Sequence, residues 1–211
     1  MRRLILAFLL FACAAPPLWA EDTATLKRIA AQIDQHAVIR AEFTQSKQMA
    51  TLKRPLQSDG RIVFSRQFGV LWQIERPYRM SYVLGEDRIV EIAADGTRRE
   101  RGLAEVPGLV QIGRIFRALL GADTTVLGEI FEVSAKGNPA NGGHWEIDLV
   151  PKQAQLAQFL KAIHLNGGRF VEAIRIDENA NDVTQIRFSN SRTADTPDAA
   201  ELTLFGKTAK P

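Results

Sequence analysis

The chain has 211 residues with 27 Lys and Arg against 24 Asp and Glu, and without Arg2 and Arg3 the balance is 25 against 24. A near-neutral surface of mixed sign gives no electrostatic footprint for nucleic acid, so no nucleic-acid partner is expected. The only cysteine is Cys13, close to the N-terminus, so the rest of the chain has no thiol for a disulfide, a nucleophile or a cysteine-ligated metal.

Arg2 and Arg3 precede an apolar run over 4–15, which Pro16, Pro17, Leu18, Trp19 and Ala20 separate from the acidic pair Glu21 and Asp22. The run is shorter than the ~20 apolar residues that span a bilayer, and small Ala20 suits a cleavage site. Residues 1–20 therefore read as a secretory signal peptide cleaved near Ala20. Lipid attachment at Cys13, after Leu10, Phe11 and Ala12, is the alternative, although bulky Phe11 fits it poorly. Residues 21–211 read as a single domain.

Leu26, Ile29, Ala30 and Ile33 recur at helical spacing, with Lys27, Arg28, Gln32 and Asp34 on the other face. The period then changes to two. Strands are predicted over 38–49, 61–66, 70–75, 80–84 and 88–93, punctuated by Asp59-Gly60, Gly69, Pro77, Gly85 and Asp95-Gly96. After Pro107-Gly108, helical spacing returns through Leu109, Ile112, Ile115, Phe116, Leu119 and Leu120 until Gly121. Strands resume over 129–135, 144–150, 162–166, 169–177, 183–190 and 201–205, with a short helical piece near 153–160. The pattern predicts a mainly β fold with some α (α+β): one curved antiparallel sheet with helices packed on one face.

His36, His144 and His164 form no metal-binding spacing, and the chain has no nucleophile elbow, phosphate loop or dinucleotide fingerprint. No catalysis, metal or cofactor is expected. Glu86 and Asp87 read as solvated turn charges, and Arg98, Arg99 and Arg101 as charges protecting an exposed sheet edge. Large apolar side chains alternate along several strands, as in Ile62 and Phe64, Trp72 and Ile74, Trp145 and Ile147, and Ile186 and Phe188. Periodicity does not separate a packed core from an apolar ligand cavity made of the same residues.

Phe43-Thr44-Gln45, the stretch from Gly60 through Trp72 to Arg76-Pro77, Asp148-Leu149-Val150-Pro151-Lys152 and Ile186-Arg187-Phe188-Ser189-Asn190 resemble, in this order, the LolA family of periplasmic lipoprotein carriers. The resemblance implies an incomplete antiparallel β-barrel, a half-barrel, whose apolar inner face is covered by a helical lid. It makes Phe43, Ile62, Phe64, Trp72 and Ile74 the candidate cavity lining, and Leu109, Ile112, Ile115, Phe116 and Leu119 the candidate lid. The family's lid-holding Arg stands immediately before the Trp aligned with Trp72, and here that place is Leu71, with Arg76 or Arg79 as possible substitutes. The acidic turn Asp177-Glu178-Asn179 also lacks a glycine expected two or three residues later.

The implied protein is a periplasmic monomer whose cargo is an acylated lipoprotein or an envelope lipid, with an inner-membrane exporter and an outer-membrane receptor as partners. Leu71 motivates a second expectation, a carrier or assembly factor for a non-lipoprotein envelope lipid such as a glycolipid or aryl polyene. A third is a sensor or assembly module that binds proteins through its sheet edge.

Overall fold

The computed structural model describes residues 19–33, 36–85, 88–102, 113, 115, 118 and 125–207. Helix α1 (Trp19–Ile33) is followed by strands β1 (Val38–Gln48), β2 (Leu56–Ser65), β3 (Gly69–Arg76), β4 (Met80–Leu84), β5 (Ile89–Ala93) and β6 (Arg98–Arg101). Gly113, Ile115 and Ala118 are helical. Then come helix α2 (Thr125–Ile130), β7 (Phe131–Gly137), β8 (Trp145–Pro151), the single turn α3 (Ala154–Ala157), β9 (Leu160–Gly167), β10 (Val171–Glu178), β11 (Val183–Ala194) and α4 (Ala199–Leu204).

All eleven strands join one antiparallel sheet in the order β6-β5-β4-β3-β2-β1-β11-β10-β9-β8-β7. Two meanders meet at a central seam, where β1 and β11 pair from Val38 opposite Ala194 to Gln48 opposite Val183. β6 and β7 are the two edges, so the barrel is incomplete. The chain between these edges, residues 102–130, leaves one margin of the sheet and arrives at the other.

The two faces carry different cores. The inner face holds Phe43, Ile62, Phe64, Trp72, Trp145, Ile147 and Ile163, buried together with Leu26 and Ile29 of α1, with Ile115, and with Leu127 of α2. A second cluster on the outer face contains Val38, Val63, Leu71, Val83, Ile92 and Phe205. Two covered faces explain why 62–65 and 70–72 are buried without alternation.

Gly60 sits at a register shift between β2 and β3. A Cβ there would lie 1.9 Å from the Gln73 carbonyl oxygen, so only glycine permits this close approach. In the β10–β11 hairpin, Asn181 adopts φ 60°, supplying with an asparagine the left-handed turn for which a glycine was expected.

Several boundaries differ from the sequence reading: β2 begins at Leu56 rather than at 61. Residues 129 and 130 belong to α2, and the strand starts at Phe131. The predicted strand 201–205 is instead mostly helix α4, because Asp198 and Glu201 form a capping box: the Asp198 side chain accepts from the Glu201 N–H, and the Glu201 carboxylate accepts from the Asp198 N–H. The acidic pair Glu86 and Asp87 lies outside the described residues. Arg98, Arg99 and Arg101 do form an edge strand.

Candidate ligand-binding face

The centre of the inner face is built on β1, β2 and β3. Phe43, Ile62, Phe64 and Trp72 are all buried in the main cluster, and half-buried Ile74 packs against it. The Phe43 and Trp72 rings are 4.3 Å apart between centroids, and Phe188 meets Trp72 edge-on at 6.4 Å. These five predicted lining positions share one surface because they recur with period two on paired strands. Four of the five predicted lid residues, Leu109, Ile112, Phe116 and Leu119, lie outside the described residues. Ile115 is described and completely buried against the inner face.

Leu71 faces the other way. It is completely buried in the outer cluster with Val63, Val83 and Phe205, while its neighbours Val70 and Trp72 point inward. A side chain at this position meets the C-terminal segment, not the helical cover. Of the two candidate substitutes, Arg76 is exposed and pairs with Asp59 at 2.9 Å, and Arg79 is also exposed.

Among the described residues, Arg101 brings a guanidinium to the inner side of β6. It stands opposite inward-facing Ile89, and donates through Nε and a terminal nitrogen to both oxygens of Glu91, at 2.8 and 3.0 Å. Tyr82 stands across from Glu91 on the next strand. Arg101 was read from sequence only as edge protection. Pairing across the Asp95-Gly96 turn was the available signal, because it brings Glu91 and the arginines into one hairpin. Hydrogen bonding from Arg101 holds the Glu91 carboxyl below the ordinary carboxylate range. Burial, with the Glu91 charge second, pushes the Tyr82 phenol up.

A depressed carboxyl contributes stability above its unfolded value of about 4.3, and that contribution disappears as pH falls through the lower folded value. Arg101→Gln is therefore expected to return the Glu91 titration toward the ordinary range, as read by carbon-detected NMR of the side-chain carboxyl. Titration unchanged by this substitution would remove Arg101 as the cause.

The cover touches both halves of the sheet. A Cβ at Gly113 would be 3.3 Å from the Leu84 Cβ, so the helical segment at 113 lies close against β4. On the other half, Leu26 and Ile29 of α1 and Leu127 of α2 are buried with the inner faces of β7 and β8. Polar ties are few but specific. The Gly168 carbonyl accepts from Gln32 Nε2 of α1 and from Trp145 Nε1, each at 2.7 Å, and Lys152 Nζ donates to the Gly128 carbonyl of α2 at 2.6 Å. Between the two helices is a cleft of about 390 Å³ whose lining includes Leu26, Lys27, Gly128 and Val133. It leads toward the buried Leu26, and a Cβ at Gly128 would meet nothing within 4 Å.

On the inner face Phe43, Trp72, Trp145, Ile115 and Leu127 are each at most 1% exposed. A larger cleft of about 670 Å³ lies on the outer face, with Arg88, Arg98, Glu100 and Lys207 in its lining. Such a charged lining suits hydrocarbon poorly. His164 also faces outward, its Nδ1 2.6 Å from Asp148 and its Nε2 3.3 Å from Asp177. Among the described residues no group of three or more His, Cys, Asp or Glu side chains is arranged to hold a metal ion.

The family model "Outer membrane lipoprotein carrier protein LolA-like" matches residues 15–201. Comparison with curated proteins finds no relative. Among solved structures, a DUF1329 family protein from Desulfovibrio piger ATCC 29098 aligns with a TM-score of 0.52 at 12% identity, over 88% of this chain and 97% of its own. MucB aligns with a TM-score of 0.52 at 14% identity, over 87% of this chain and 62% of its own. A LolA superfamily protein from Nitrosomonas europaea aligns with a TM-score of 0.49 at 7% identity, over 86% of this chain and 96% of its own. At these identities the two structural likenesses above 0.5 concern the fold alone.

Proposed function

The chain belongs to the outer membrane lipoprotein carrier protein LolA-like family, and we propose that it is a non-catalytic periplasmic carrier that shields the acyl chains of a lipoprotein or related envelope lipid on its inner face while moving them from the inner toward the outer membrane. The observation that carries this reading is one continuous apolar face, shared by both meanders and roofed by helical segments that are not part of the sheet.

Each methylene removed from water is worth about 0.8 kcal/mol, so a multiply acylated cargo free in solution faces a cost of tens of kcal/mol. The carrier must cover those chains and later release them. In the closed arrangement Leu26, Ile29, Ile115 and Leu127 occupy the inner face themselves. Cargo then exchanges one set of apolar contacts for another, so net affinity stays moderate and a receptor can compete. Arg101, the last residue of β6 before the cover, is tied back to β5 through Glu91. The Gln32 bond to Gly168 fastens α1 on the opposite side.

Organic extraction of gently purified protein followed by mass spectrometry is expected to release acyl lipid or acylated peptide. Extracts free of any lipid would favour a protein-binding module. Binding of a fluorescent acyl probe adds a residue-level test. Ile74→Glu, at a half-buried position where the carboxylate can still reach water, is expected to weaken uptake about tenfold or more, since a charge beside hydrocarbon costs over 1.4 kcal/mol unless it is solvated. Unchanged uptake in a folded Ile74→Glu protein would remove the inner face from the binding site.

A further inference from the structure

We propose that the end of the barrel formed by the β1–β2, β3–β4 and β8–β9 connections docks onto a lipid surface bearing anionic headgroups. The exposed large apolar side chains among the described residues are Leu52, Leu56, Tyr78, Val150 and Phe159, with exposures from 39% to 68%. Strand register places all five at the same end. Leu56 opens β2 opposite Lys47 near the end of β1, and Leu52 lies in the connection between them. Tyr78 follows Arg76 in the connection from β3 to β4. Val150 is next to the last residue of β8, and Phe159 precedes Leu160, which stands opposite Glu178 at the end of β10. None of the five lies at the opposite end, where β2 turns into β3 and β9 into β10.

The tips on the β1–β2 and β8–β9 connections are held in position. The Leu52 N–H donates to the Met49 carbonyl at 3.0 Å, and the Ala50 N–H donates to the Asp182 carboxylate at 2.8 Å. The Asn179 N–H donates to the Phe159 carbonyl at 3.2 Å, and Lys161 Nζ donates to Asn181 Oδ1 at 3.0 Å. The β1–β2 connection, the β10–β11 hairpin and the β8–β9 connection are thus tied into one platform. Little order remains to be imposed when the platform meets its target.

Charge selects the target. Lys53, Arg54 and Arg79 are exposed among the apolar tips. Several acids at this end are engaged within the protein: Asp59 with Arg76, Glu178 with Lys47, Asp182 with the Ala50 amide, and Asp95 with the Thr97 amide; Glu129 and Glu132 are exposed at the β7 margin, away from Lys53, Arg54 and Arg79 in the first meander. Apolar tips spread over three connections and interspersed with cations do not form the contiguous centre of a protein interface, but they suit a fluid surface that yields around each tip. Tyrosine and cationic side chains are also the types favoured at headgroup depth. No helix among the described residues is long and apolar enough to cross a membrane, so the contact is peripheral. Lys152, at this end, also holds α2 through Nζ and through its N–H to the Ile130 carbonyl. Docking therefore brings one side of the helical cover to the lipid surface.

The surface is tested independently of cargo by sedimenting the exported chain with vesicles. Vesicles of phosphatidylethanolamine and phosphatidylglycerol are expected to pull it down at low ionic strength and release it as salt rises, whereas phosphatidylcholine vesicles retain much less. Lys53→Ser with Arg54→Ser, and separately Tyr78→Ser with Phe159→Ser, should each weaken binding by about fivefold or more. Trp72 and Trp145 are fully buried, which leaves room for an introduced reporter. Phe159→Trp emission should shift to the blue on adding phosphatidylglycerol vesicles, and emission from Gln67→Trp at the opposite end should stay put. Failure to sediment, unchanged binding by both double variants, or an equal shift at both reporters overturns the proposal. So does attachment only to native membranes that protease treatment abolishes, which assigns the surface to a protein partner. None of these outcomes touches the acyl-probe result at Ile74.

Discussion

Trp72→Ala is expected to lower the unfolding free energy by about 3–5 kcal/mol, the range for removing a large buried aromatic from a packed core. The indole is 1% exposed, is held on one side by Phe43 at 4.3 Å and meets Phe188 edge-on. Its removal costs the transfer energy of the ring and leaves a void between β1 and β3. Urea unfolding followed by circular dichroism measures the effect through the midpoint, and the slope should stay near that of the parent if the same surface is exposed on unfolding. The carrier reading adds a second outcome. A void on the inner face can accept hydrocarbon, so saturating acyl probe should restore part of the lost midpoint in Trp72→Ala. A loss below 1 kcal/mol would mean that the inner face is far looser than its burial indicates.

Glu201→Ala is expected to cost about 3 kcal/mol, close to the lower figure for breaking a buried ion pair on one side. Arg40 donates from Nε and a terminal nitrogen to the two oxygens of Glu201, at 2.5 and 2.6 Å, and the two side chains are 15% and 10% exposed. Bonding to Glu201 raises the Arg40 pKa; when that partner is lost the rise goes with it, but an arginine is protonated at any ordinary pH, so the guanidinium stays charged. The same substitution breaks the capping box of α4. Arg40→Met with Glu201→Leu should recover much of the loss, because an apolar pair removes the stranded charge. Acyl-probe affinity should not move, since this contact lies on the outer face. A shift in both stability and uptake would show that the two faces are coupled through β1.

The sheet was largely legible in the sequence because its signal is local. Alternation at Ile62 and Phe64 or at Ile147 and Leu149 needs only neighbouring residues, and the turn glycines and prolines divide the strands. α4 was missed because alternating Leu202 and Leu204 resembles a strand, while the decisive signal, Asp198 followed three residues later by Glu201, precedes it. The outward facing of residue 71 follows from period two once Trp72 and Ile74 are taken as inward, but what it meets there could not be read locally. Leu71 is buried by a C-terminal segment more than a hundred residues away that covers the outer side. The inner-face pairing of Arg101 with Glu91 was hidden for a similar reason. Three arginines in the stretch Arg98-Arg99-Glu100-Arg101 on an edge strand look like solvated charge until the hairpin register shows which of them stand on the same side as Ile89.

The position of the central seam bears on how the protein is made. Neighbouring hairpins such as β2–β3 or β9–β10 can pair as soon as both arms exist, but β1 finds its second partner only when residues 183–194 have become available. Until then the first meander presents an uncovered greasy side and a bare strand margin, both open to wrong partners. Joining segments so distant along the chain is slow. On the carrier reading, a chain proposed to guard other molecules' hydrocarbon is itself, early in its life, a client in need of guarding.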